Sequence, residues 1–174
     1  MSGTQPGPER TADGRYIIVK GRRWRAQDPH IPENLAAQLV SELMAARRAV
    51  KTDADAARPR VQDAKVALGE RGDPWWESTG AGRRERLAAA LRTLLRGRDA
   101  EATVCPSEAA RVVGGEDWRE RMDEARDVAA RLHDQGQLEI RQRGERVADP
   151  RAVRGPIRVG RGVEFPHPPP VSGS

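Results

Sequence analysis

Cysteine is almost absent. Cys105 stands alone in 174 residues, which excludes an intramolecular disulfide and agrees with a reducing compartment. Long apolar runs are missing too. No stretch approaches the ~20 residues a membrane-spanning helix needs. Residues 1–10 have no apolar centre of the signal-peptide kind, so a cytoplasmic protein is expected. Histidine is scarce: His30, His133 and His167 lie far apart and, with Cys105, show no metal-ligand spacing. No metal or cofactor is expected. Gly80-Ala81-Gly82 lacks the preceding strand and third glycine of a phosphate cradle. Cys105, just before Pro106-Ser107, reads as a small buried side chain at a helix start rather than a nucleophile. With no nucleophile and base in view, no enzymatic activity is expected.

Lysine is nearly missing as well, with 28 arginines against three lysines in a chain of net charge +5. GC-rich codon usage favours arginine and alanine by itself, so the distribution of charge says more than its total. Residues 83–98 carry six positive and one negative charge, residues 99–136 five and ten, and residues 137–164 seven and four. An acidic centre is flanked by basic elements.

That centre has the order of a winged helix-turn-helix. Glu108–Val113, capped by Ser107, is a short helix, and Gly114-Gly115 turns the chain. A long helix then starts at Asp117, with Asp117 and Glu120 spaced as a capping box, and stops at Gly136. Trp118, Met122, Ala125, Ala129 and Leu132 form its apolar stripe. On the other side Glu120, Asp123, Asp127 and Asp134 fall within roughly 60° of one another. Carboxylates there repel phosphate where a DNA-reading helix would contact bases. Arg119, Arg126 and His133 run beside them, and Arg119 with Asp123 and Asp127 with Arg131 have ion-pair spacing. The expected wing is a hairpin from Leu138 to Ala148, with residues 154–159 as a closing strand.

Upstream, a helix at residues 83–96 buries Leu87, Ala90, Leu91, Leu94 and Leu95, and the glycines of 78–82 mark a linker before it. Tyr16–Val19 and Arg22–Arg25 read as a hairpin around Lys20-Gly21, and Pro32–Val50 as a helix burying Leu35, Leu39, Leu43, Ala46 and Val50. Thr52–Pro59 reads as a loop and Arg60–Leu68 as a second helix, with Pro74-Trp75-Trp76 either folded back on the helix pair or exposed for a partner. The expected fold is therefore mainly α with small β hairpins. Its units are a disordered lead (1–12), a hairpin and two-helix domain (13–77), a linker (78–82), a winged-helix domain (83–161) and a disordered proline-rich tail (162–174).

Two resemblances follow from particular motifs. Cys-Pro-Ser-Glu at 105–108, Gly-Gly-Glu-Asp-Trp-Arg at 114–119 and Arg-Gly-Pro-Ile-Arg at 154–158 resemble the signature of a bacterial domain of unknown function, which implies a winged-helix-like fold. Residues 16–19 with 21–25, and 68–72 with 74–77, resemble small actinobacterial proteins often labelled Tol-like biopolymer transporters, which implies a fusion of two small domains. Nothing in the residues supports transport, and neither resemblance brings catalytic residues.

Two function classes fit. In the first, Arg141, Arg143 and Arg146 of the wing, Arg83 and Arg84 of the basic helix, and Arg22, Arg23 and Arg25 of the first hairpin grip DNA phosphates with little base reading. In the second, Glu120, Asp123, Asp127 and Asp134 offer an acidic surface to a basic protein partner. In the first hairpin Tyr16 and Trp24 are interleaved with the arginines, a surface that can stack bases as well as grip phosphate; the plain alternative is that Tyr16, Ile18 and Trp24 are core contacts and the arginines only solubilise its outer face.

Overall fold

Helix α3 (Gly80–Arg96) is the wall against which the other helices pack. Leu87, Leu91, Leu94 and Leu95 lie on its buried arc, with Ala88, Ala89 and Ala90 between them. Every other α-helix touches it: α1 (Glu33–Ala49), α2 (Ala54–Ala67), α4 (Pro106–Gly114) and α5 (Met122–Asp134). This is the arrangement in the computed structural model, which describes residues 7–166. The architecture is mixed α/β and mainly helical. Strands β1 (Glu9–Arg10), β2 (Tyr16–Val19) and β3 (Arg22–Arg25) form one antiparallel sheet in that order; β4 (Leu138–Gln142), β5 (Glu145–Arg146) and β6 (Arg158–Arg161) form a second, in the order β5-β4-β6. No described helix is long and apolar enough to cross a membrane.

Both ends of the chain and the middle correct expectations. Glu9 and Arg10, expected in a disordered lead, pair with Ile18 and Ile17 because β2 offers an open edge; residues 1–6 lie outside the described residues. Residues 78–82, expected as a linker, begin the central helix. Thr79 accepts from Gly82 N at 3.0 Å, while Asp73 accepts from Thr79 N at 2.8 Å. One hydrophobic core accordingly runs from Ile31 to Phe165 across that point. Phe165, expected in the tail, is buried beneath the guanidinium groups of Arg96 and Arg161. Residues 167–174, with His167, lie outside the described residues.

Helix α2 starts earlier than expected and carries Pro59 inside it. Asp53 caps it by accepting from Ala56 N at 3.2 Å. Proline forfeits one backbone bond in a helix interior. Burial of Ala57 and the part-buried bond from Arg60 Nε to Glu42 Oε1 at 2.7 Å hold the turn nonetheless. The long helix starts later than expected. Gly115–Arg121 is a 3-10 segment, Asp117 has non-helical dihedrals (φ −92°, ψ 23°), and α5 begins at Met122. The reason lies at Gly115, whose φ of +54° redirects the chain, and where a Cβ would come within 3.0 Å of His30 Cβ.

Helix α4 is capped through Glu108 rather than Ser107. Glu108 accepts from Cys105 N at 2.9 Å and takes both Arg98 nitrogens, at 2.6 and 3.2 Å. Burial pushes its carboxyl up, but the Arg98 and Cys105 bonds outweigh it and hold the group below its ordinary 4.5. A carboxylate with a lowered folded pKa contributes stability above its unfolded value and loses it as pH falls through the folded one. Glu108→Gln is thus expected to lower stability by about 1–2 kcal/mol near neutral pH. The gap to the parent protein should close as pH falls below 4.5, which urea melts across that range would read.

Candidate nucleic-acid interface

The β4–β5 hairpin is built on a turn in which Arg143 (φ 54°) and Gly144 (φ 83°) are both left-handed, the geometry that keeps two twisted strands paired. Pairing of Arg141 with Arg146 and with Arg158 sets those arginines in one row across β5, β4 and β6. Ile140 and Val159, on the opposite face, are buried in the core. Glu139 stands beside the row and accepts from Arg141 Nε at 2.6 Å and Arg146 Nε at 3.0 Å. Burial acts against its ionisation, but those two guanidinium groups hold its carboxyl below the ordinary range. Arg158 is turned back to Thr103 Oγ1 at 2.9 Å. The outermost cations are Arg143, which makes no ion pair among the described residues, and Arg146, whose side chain is 80% exposed.

The basic helix is largely committed to the fold. Arg83 bonds Glu124 Oε1 at 3.4 Å and Ser78 O at 3.3 Å, tying α3 to the first turn of α5; Arg84 is exposed. Arg92 and Arg96 grip Asp63 at 2.9 and 2.5 Å, and Arg161 donates to Leu95 O and Arg98 O at 2.6 and 2.8 Å. Planar guanidinium forks suit such multiple acceptors, so much of the arginine excess staples elements together.

The polar side of α5 is strapped by the chain that follows β5. Arg126 donates to Gly155 O at 2.9 Å and Val153 O at 3.2 Å, and Arg151 pairs with Asp134 at 2.9 Å. That bond from Arg151 lowers the Asp134 pKa, and Asp127 lies within the field of the same guanidinium. Glu120 and Asp123 stay exposed. The expected Arg119–Asp123 and Asp127–Arg131 pairs do not close among the described residues. Arg119 instead lies over Trp118 at 4.5 Å, as does Arg111 at 4.6 Å, because the 3-10 segment turns it off the helix register.

In the first sheet the strand register separates two faces. Tyr16, Ile18, Arg23 and Arg25 share the face that meets residues 72–76. Tyr16 packs edge-on against Trp76 at 5.6 Å, Arg23 covers Tyr16 at 4.3 Å, and Arg25 donates to Gly72 O at 2.7 Å. Trp75 bonds Ala26 O at 3.1 Å through Nε1 and meets His30 edge-on. The tryptophan pair therefore anchors the hairpin and the 26–30 loop rather than folding on the helix pair, since indole and guanidinium groups of the hairpin offer better partners. The other face carries Arg10, Ile17 and Trp24 in one row and Val19 with Arg22 in the next. Trp24 is 46% and Val19 40% exposed; Trp24 is thus not the core contact that the plain reading of the hairpin required.

Sequence reasoning missed a buried polar cluster. Arg86 of α3 bonds Asp28 Oδ2 at 2.9 Å, Ala67 O at 3.0 Å and Val112 O at 3.2 Å, and burial lowers its pKa against the pull of Asp28. Asp28 Oδ1 also accepts from His30 N and faces His30 Nδ1, each at 2.9 Å. The available signal was position: Arg86 precedes Ala90 by four and Thr93 by seven, on the buried arc. A carboxylate behind an exposed imidazole resembles a general-base pair. No serine, threonine or cysteine side chain bonds that ring among the described residues, and the cluster acts as a latch. Among them, too, no group of three His, Cys, Asp or Glu side chains is arranged to hold a metal.

No curated protein matches the chain. Residues 84–162, from the first turns of α3 to just past β6, match a family model described as "Protein of unknown function (DUF3253)".

Proposed function

We propose that the chain is a cytoplasmic nucleic-acid-binding accessory protein whose C-terminal half is a winged helix joined to a small N-terminal hairpin and helix-pair unit. It grips phosphate through the wing and reads few bases. The observation that carries this reading is the pairing of an exposed wing tip, Arg143 with Arg146, with an α5 whose polar side is acidic and strapped by residues 151–155. A helix so charged repels phosphate, and sequence is read by side chains that reach base edges.

Fluorescence anisotropy of a mixed-sequence duplex at two salt concentrations tests it. Affinity should fall log-linearly with salt, and Arg143→Ala and Arg146→Ala should each reduce that slope by about one phosphate contact. Arg119→Ala should leave the slope unchanged. Absence of duplex binding at low salt would remove the proposal and turn attention to exposed Glu120 and Asp123 as a surface for a basic protein partner.

A further inference from the structure

We propose that the outer face of the β1–β3 sheet is a stacking platform for single-stranded DNA. The proposal deepens the nucleic-acid reading above and rests on it, but uses a different surface. On this face Arg10, Ile17 and Trp24 stand side by side across the strands, with Val19 and Arg22 in the adjoining row. Strands in a sheet lie about 4.8 Å apart, so Arg10 and Trp24 flank a span of about 10 Å. No carboxylate belongs to this set; Glu9 belongs to the other face, and Asp13 accepts from Thr11 Oγ1 and Arg15 N in the β1–β2 turn.

The chemistry of the five side chains selects the ligand. Trp24 leaves nearly half of its surface in water, in contrast to Trp75 and Trp76, which are packed against each other at 5.1 Å. Arg22 lies 4.8 Å from the centre of its ring. A guanidinium on one side of an indole leaves the other side for a base, and the two arginines meet the phosphates on either side of it. Bases in a duplex hide their faces within the stack, whereas an unpaired strand presents them. Ile17 and Val19 extend the apolar floor beneath a neighbouring base or sugar. The face has no side-chain carboxylate, amide or hydroxyl to accept a hydrogen bond from a ribose 2′-hydroxyl, which removes one of the two kinds of bond by which it could favour RNA over DNA.

The test compares labelled oligo-dT, oligo-rU of the same length and a mixed-sequence duplex, each titrated with the full chain. Oligo-dT should bind, and Trp24→Ala should weaken it about 5- to 100-fold, the effect of losing one base–aromatic stack. Trp24→Phe should retain most of the affinity, and both variants should bind duplex as the parent protein does. A thermal melt should be unchanged, because Trp24 is half out of the core. Equal oligo-dT affinity in the parent and Trp24→Ala overturns the platform, as does duplex binding without oligo-dT binding; the proposed function stands in both cases. Clear preference for oligo-rU overturns the DNA assignment. Absence of binding to all three removes both proposals.

Discussion

Asp28→Ala is expected to destabilise the fold by about 3–5 kcal/mol, the cost of leaving one member of a buried ion pair alone. Asp28 is 3% and Arg86 7% exposed, so water cannot replace the lost carboxylate. Arg86 would keep only the Ala67 and Val112 carbonyls, which carry no full charge. The latch also sits where four segments meet. Asp28 follows the hairpin and its N–H bonds Leu68 O; Arg86 brings α3, Ala67 the end of α2 and Val112 the middle of α4. A loss of this size takes a large part of an ordinary domain's stability. Removing both charges together should hurt less, since apolar replacement of a buried pair is often close to neutral. Asp28→Ala combined with Arg86→Met should therefore recover stability relative to Asp28→Ala alone. Urea unfolding of the single and double variants measures both quantities. A cost below about 1 kcal/mol for Asp28→Ala, the level of an exposed pair, would mean that the latch is wet.

Leu91→Ala should cost about 2–5 kcal/mol, the range for emptying a filled site in a packed core. Leu91 is fully buried in the helix that touches α1, α2, α4 and α5. The cavity should therefore weaken both halves at once. Urea unfolding should stay a single transition, moved to lower denaturant at unchanged slope. Hydrogen exchange gives the sharper reading: amides around Leu39 in α1 and Val128 in α5 should lose protection by the same amount. Loss confined to one of them would make the halves separate folding units, as the glycines at 78–82 suggest when read alone.

Local chemistry explains which elements were legible. The leucine spacing of α1 and α3, the stop at Gly136, and the hairpins around Lys20-Gly21 and residues 143–145 depend on side chains a few residues apart, and the structure has each of them, with Glu145 already paired in β5. Where local signals competed with packing, packing decided. Pro59 reads as a break but sits inside α2, and Asp117 reads as a cap but leaves the chain in a 3-10 segment beside His30. The candidate site divides in the same way. Its arginines were all visible in the sequence, but not their partners, which separate Arg143 and Arg146 at the surface from Arg83, tied to Glu124 and Ser78 O.

The amino-acid order by itself determined the helical stripes, the two hairpins, the acidic side of α5 and the abundance of arginine. These follow from periodicity and turn chemistry, which act over a few residues. Tertiary structure alone decided that the halves share one core, that Arg86 meets Asp28 across 58 positions, that residues 151–155 strap α5, and that Trp24 faces water while Trp75 does not. A guanidinium can satisfy its donors on any carboxylate or carbonyl within reach, and which one comes within reach is set only when distant segments are packed together.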